Sequence, residues 1–152
     1  MLIRKMETRD IPRACILVQE LTGKEMSEDD MRDRLEFVEN SPINELFVCE
    51  VDGAVRGLIG FRIRENVEEV SRFGEVSVLV VDSGFRGKGI GRAMMEFAEG
   101  HAKEKGCTGT WLVSELHREG AHRFYKGLGY VINGYRFIRP FPSKHTTASN
   151  GT

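Results

Sequence analysis

The chain has 152 residues, enough for one domain that buries a sizeable core without a metal or disulfide staple. Its 22 Lys and Arg nearly cancel 23 Asp and Glu, leaving a formal charge of -1, which argues against a dedicated nucleic-acid binder with its usual basic excess. Met1–Lys5 opens no signal-type apolar stretch and no apolar run approaches the roughly 20 residues that span a bilayer, so a cytoplasmic protein without a membrane partner is expected. Cys15, Cys49 and Cys107 form no CxxC and read as reduced thiols. Glycine is the outlier, with 17 residues, about 11 per cent against a usual ~7 per cent.

Leu2–Glu7 alternates as a first strand. Asp10 is placed to cap a helix with Pro12 in its first turn and Ile11, Cys15 and Val18 on one face, ended by Gly23. Ser27-Glu28-Asp29-Asp30 opens a second helix with Met31, Leu35 and Val38 as its stripe. Leu46–Val51 and Val55–Ile63 are strands joined by Asp52-Gly53, a strong hairpin signal. Glu65–Arg72 is charged, a loop or strand extension, and the β-branched run Glu75–Val81 reads as a central strand buried on both faces. A long helix from about Gly89 to Lys105 ends at Gly106, and Thr110–Val113 is the next strand. Glu119–Leu128 is a short helix. Tyr130–Ile132 and Tyr135–Ile138 are read as closing strands around Asn133-Gly134, a second hairpin signal. The order β-α-α-β-β-β-α-β-α-β-β predicts one mixed α/β domain over residues 1–139, with a flexible polar tail at 140–152.

Chemistry concentrates where four glycines (Gly84, Gly87, Gly89 and Gly91) separate a strand from an amphipathic helix. Glycines let backbone N–H groups approach phosphate oxygens, and a helix N-terminus adds about half a positive charge. Arg86, Lys88 and Arg92 add cationic donors. A Walker A loop needs Ser or Thr after its Gly-Lys, whereas Lys88 precedes Gly89. A dinucleotide fingerprint started at Gly87 would end at Arg92 instead of glycine.

Arg86-Gly87-Lys88-Gly89-Ile90-Gly91 matches the acetyl-CoA signature Arg/Gln-x-x-Gly-x-Gly/Ala of the GNAT superfamily of N-acetyltransferases. Ala121-His122-Arg123-Phe124-Tyr125-Lys126-Gly127-Leu128-Gly129-Tyr130 matches that family's second signature, Ala-x-x-Phe-Tyr-x-x-x-Gly-Phe/Tyr. The chain therefore resembles this superfamily from Leu2 to about Arg139, and looks similar to its small-molecule members of the aminoglycoside 6'-N and aminoalkylphosphonate types. The resemblance implies a mixed, mostly antiparallel twisted sheet with a splayed parallel central pair. It implies acetyl-CoA as co-substrate, no metal, and direct amine attack in a ternary complex. Ala121 and Phe124 would join the residues 86–92 around the cofactor. A bulge mapped to Leu79, Val80 and Val81 would pair its backbone with the pantetheine arm and polarise the thioester carbonyl. Tyr125 stands at the family's acid position, and Arg118 where the family often has Asn.

A lysine-like amine has a pKa near 10.4, so deprotonation near neutral pH costs roughly 4 kcal/mol. Glu75, at even spacing from Leu79 and Val81, is expected on their face as the base, with a water between if needed. His117 and His122 are five apart, which does not place them on one helical face, so a solvated or capping role is expected. The acceptor reads as a small-molecule amine: acidic residues near the second helix and Glu65–Glu69 would suit a polycation, and the interleaved Arg62, Arg64 and Arg72 a phosphonate. A peptide acceptor, a non-catalytic acyl-CoA sensor and a nucleotide-phosphate module are the competing readings. The resemblance allows a homodimer.

Overall fold

The computed structural model describes residues 1–143; residues 144–152 of the expected tail lie outside that range. The chain divides into two compact units, Met1–Ser114 and Glu115–Thr152.

In the first unit, β1 (Leu2–Lys5), β2 (Asn44–Val51), β3 (Ala54–Glu65), β4 (Arg72–Val81) and β5 (Gly109–Leu112) form one sheet in sequence order. β1 to β4 pair antiparallel, and β4 pairs parallel with β5. Two helices, α1 (Ile11–Thr22) and α2 (Glu28–Glu39), lie between β1 and β2 in sequence, and α3 (Ile90–Glu104) makes the crossover from β4 to β5. A parallel neighbour cannot be reached by a tight turn, so this crossover helix is required. Asp52 and Gly53 both take positive φ, 52° and 79°, as a twist-matched two-residue hairpin demands. Gly23 adopts the left-handed conformation that ends α1, and Ser27 accepts a hydrogen bond from the Asp30 N–H at the start of α2.

Each face of the sheet buries its own set of side chains. Val48, Leu58 and Val80 lie in register across β2, β3 and β4 and pack with Ile11, Leu17 and Leu35 of α1 and α2. Phe61 marks the opposite face, where α3 approaches closely. A Cβ on Gly57 would lie 2.7 Å from Met94 Cε and displace the end of that side chain, whereas one on Gly74 would lie only 2.5 Å from Cε2 of the Phe61 ring, so Gly74 needs glycine.

Asp10 departs from the expected capping role. It makes no side-chain cap on α1; its buried carboxylate accepts from Arg4 and from the Glu7 N–H at 2.8 Å. Burial alone would raise its pKa, but the Arg4 and Glu7 hydrogen bonds outweigh that and hold it below the usual carboxylate range.

In the second unit, α4 spans Glu119–Gly127, and residues 128–143 form no helix or strand. The two closing strands expected around Asn133-Gly134 are therefore absent among the described residues, and the parallel pair β4–β5 lies at the sheet's edge, not at its centre. Neither Asn133 nor Gly134 has the positive φ of a hairpin turn, and Tyr135 and Phe137 are 82% and 94% exposed. An alternating apolar pattern makes a strand only where a partner edge receives it.

Candidate active site

β4 carries a bulge, at Ser77 and not at Leu79–Val81. Gly60 pairs with Val78 and Phe61 with Val76, so Ser77 is the extra residue, exposed and without an opposite number in β3. Its Oγ lies against the space a Gly60 side chain would fill, so glycine there accommodates the bulge. One extra residue reverses strand parity. Glu75 thus shares its face with Val78 and Val80, the α1/α2 face, while Leu79 and Val81 share the other with Phe61. The expected placement of Glu75 beside Leu79 and Val81 is corrected by this single residue.

The parallel pairing of β4 with β5 ends at Val76–Leu112. From Ser77 to Val81 the β4 edge away from β3 has no strand partner among the described residues. Those five residues span about 16 Å at an ordinary strand rise. The bulge sits where the two strands part.

Glu75 is 5% exposed. Its Oε1 accepts from Arg62 Nε at 3.0 Å and its Oε2 from Arg62 Nη2 at 2.7 Å, a bidentate pair, while Arg64 Nε approaches Oε1 at 3.4 Å. These bonds to Glu75 raise the pKa of the Arg62 guanidinium further. Arg64 also lies over Trp111 of β5, 6.0 Å from the ring centroid.

The open edge leads into Asp82 and the glycine loop. Asp82 accepts from the Gly84 N–H at 3.0 Å, from Arg13 Nη2 of α1 at 2.8 Å and from Arg56 Nη1 of β3 at 3.1 Å. The Gly84 hydrogen bond, with those from Arg56 and Arg13, holds its pKa below the usual value. Arg56 is the extra residue of a second bulge, between the pairs Cys49–Gly57 and Glu50–Val55, and its guanidinium lies 4.2 Å from the Phe85 ring centroid. Glu20 of α1 accepts from Ser83 N at 3.2 Å. The start of the loop is thus tied to both α1 and β3. No local signal singles out Asp82, Arg13 and Arg56 in the sequence, because they are joined only by folding.

Beyond that anchor the loop is open. Gly87 and Gly89 have φ of 76° and 83°, and Gly89 is the residue preceding α3. The N–H groups of residues 87–92 have no backbone acceptor among the described residues, as expected for a first helical turn left for a ligand. Arg86, Lys88 and Arg92 are exposed beside them; Arg86 Nε reaches back to Val81 O at 3.3 Å and Arg92 pairs with Glu96 at 3.6 Å. Ile90 is buried and fixes the helix start. The chemistry of the donors, all N–H and cationic, fits a pyrophosphate.

In the second unit, Ala121, Phe124 and Tyr125 lie on α4. The Tyr125 ring packs edge-on against Phe124 and Tyr130, with centroids 5.2 and 6.1 Å away. Burial pushes its phenol pKa up, with Arg118 acting in the opposite sense. His122 Nε2 lies 2.8 Å from the Glu115 carbonyl oxygen and His117 Nδ1 3.3 Å from the Glu115 carboxylate, which gives both rings local partners.

A bulged strand leaving its parallel neighbour, followed by a glycine loop with free N–H groups at a helix start, offers an unpaired strand edge running into donors suited to phosphate. Residues 12–130 match the acetyltransferase (GNAT) family profile, and the chain belongs to that family. It is an N-acetyltransferase by that membership and by its named relatives. It is 28% identical over 137 residues to an aminoalkylphosphonate N-acetyltransferase of Salmonella typhimurium, covering 90% of this chain and 89% of that one. Among solved structures it superposes with a TM-score of 0.84, at 21% identity, on a transcriptional regulator from Bacillus halodurans C-125, over 92% of this chain and 99% of that one. It also matches aminoglycoside N-acetyltransferase AAC(6')-Iy in complex with CoA, with TM-score 0.81 and 16% identity, covering 93% and 95% of the two chains. These structural likenesses establish the shared fold.

Proposed function

We propose that the protein moves an acetyl group from acetyl-CoA to the primary amine of a small molecule by direct attack in a ternary complex. The observation that carries this reading is the unpaired β4 edge at Ser77–Val81 running into the open N–H groups of residues 87–92. The pantetheine arm would lie along Leu79, Val80 and Val81, its pyrophosphate on the loop and its thioester near the bulge. Arg86, Lys88 and Arg92 add charge to hydrogen bonds worth about 1.5–3 kcal/mol each. A backbone N–H freed at the bulge would stabilise the oxyanion. Ala121 and Phe124 are carried over from the family signature as further cofactor contacts.

The amine nitrogen attacks the thioester carbon, the C–N bond forms, and the C–S bond breaks. By the family signature it carries, Tyr125 would give the leaving thiolate its proton, a phenol being protonated at neutral pH. The surplus amine proton passes to Glu75 through a water. A carboxylate has about four acceptor positions, and the guanidinium contacts on Glu75 leave room for one more donor.

Thermal unfolding with acetyl-CoA, ATP and NAD, followed by thiol release with an amine panel, tests the reading. Ligand at 100 Kd adds about 2.7 kcal/mol, a rise of roughly 5–10 °C for a chain of this length. A shift with acetyl-CoA alone and turnover of a small amine are expected. A shift with acetyl-CoA but no turnover of any amine would favour an acyl-CoA sensor, and turnover of peptides alone would overturn the small-molecule acceptor.

A further inference from the structure

We infer that the acceptor is an acidic amine whose oxyanion group (phosphonate, phosphate or carboxylate) is bound by Arg64; this rests on the acetyl-transfer reading above. The basis is a surplus of positive charge at a defined place on the sheet. Arg62, Arg64 and Glu75 project on the α1/α2 face, since Arg62 is the register partner of Glu75 and Arg64 lies two residues further along β3. The other ladder partners on this face are Asn44, Phe73, Trp111 and Gly109, so Glu75 is the one carboxylate among them.

Arg62 engages both Glu75 oxygens and compensates that charge. Two guanidinium charges against one carboxylate leave one positive charge, and it is carried by Arg64. Arg64 meets Glu75 only through Nε at 3.4 Å, and its Nη1 and Nη2 make no protein hydrogen bond among the described residues. Its side chain is 49% exposed and rests over Trp111. A guanidinium steadied on an aromatic face, with its outer fork free, is suited to a bidentate oxyanion.

This charge is not part of the pyrophosphate site. Glu75 is six residues before Val81, about 20 Å along the strand, and the glycine loop begins only after Val81. It lies instead one residue from the point where β4 and β5 part, the end where the thioester would stand. An acceptor bound there presents its amine near Glu75 and its anion to Arg64, a spacing of a few bonds. A polyamine would meet the wrong sign of charge.

The test compares propylamine, 1,3-diaminopropane, β-alanine and 2-aminoethylphosphonate in thiol-release assays with wild type, Arg64→Gln and Arg64→Lys. Acetyl-CoA binding of each variant is followed by thermal shift. For wild type, kcat/KM for an acidic amine should exceed that for propylamine by about tenfold or more, the factor expected from one charge-assisted hydrogen bond. Arg64→Gln should erase that ratio through KM, and Arg64→Lys should restore part of it, while the acetyl-CoA shift persists. Methylphosphonate or acetate should compete with the amine and not with acetyl-CoA, and the better inhibitor identifies the anion class. Preference for propylamine or the diamine, or an unchanged ratio in Arg64→Gln, overturns the inference and leaves acetyl transfer standing. No acetyl-CoA shift and no turnover overturns both.

Discussion

The two cationic regions of the first unit are built on opposite plans. At the loop, Arg86, Lys88 and Arg92 are exposed and lightly held, and the fixed elements are backbone: two left-handed glycines and a row of N–H groups before α3. On the sheet, Arg62 and Arg64 stand on a rigid strand, and a buried carboxylate holds their geometry before any ligand arrives. A long, conformationally adaptable diphosphate can be gathered by exposed charges around a preset backbone. A small acceptor must be aimed, and aiming calls for side chains held in one geometry.

The largest effect tests chemistry apart from either region. Tyr125→Phe should lower kcat about 100-fold or more while acetyl-CoA affinity holds, as expected when a general acid is removed; steady-state kinetics beside a binding titration checks this, and full activity would remove Tyr125 as the acid. Glu75→Gln strikes the sheet cluster. It should cut kcat/KM at neutral pH about tenfold and move the pH optimum upward, because the amine must then lose its proton to solvent; an unchanged pH profile would retire Glu75 as the proton acceptor.

Gly89→Val strikes the backbone side of the comparison. A β-branched residue at φ 83° is strained by about 1–3 kcal/mol, although a Cβ there would meet no atom within 4 Å. Acetyl-CoA affinity should fall about tenfold with little change in the KM of the amine. Equal loss in both would show that the two regions are coupled.

Asp82→Asn probes the anchor between them and should cost about 1 kcal/mol of stability near pH 7, since Asn can keep only part of the hydrogen bonding. The Asp82 pKa is depressed in the folded state, so its contribution is present above the unfolded value of about 3.9 and is lost as pH falls through the folded one. Urea melts from pH 7 to pH 3 should therefore show a shallower acid decline in Asp82→Asn than in wild type. Parallel curves would contradict the assigned partners.

The two hairpin signals show how far local pattern reaches. Asp52-Gly53 and Asn133-Gly134 are equivalent as sequence, and both lie between apolar runs. Only the first has strands whose apolar faces are covered, and only there does the turn take two positive φ values. The bulge at Ser77 makes the same point at finer scale. The strand was legible as a run of β-branched residues, but which face Glu75 takes depends on how β4 registers against Gly60 and Phe61.

Sequence alone determined the order of the first nine helices and strands, the hairpin at Asp52-Gly53 and the glycine loop before α3, because capping, turn chemistry and periodicity act within a few residues. It also carried both family signatures, including Tyr125. Tertiary structure decided what depends on partners distant in the chain. It joined Asp82 to Arg13 and Arg56, set Glu75 between Arg62 and Arg64, and ended β4–β5 pairing at Val76. Charge pairing and strand register are contacts between segments, and no local propensity specifies which carboxylate an arginine will meet.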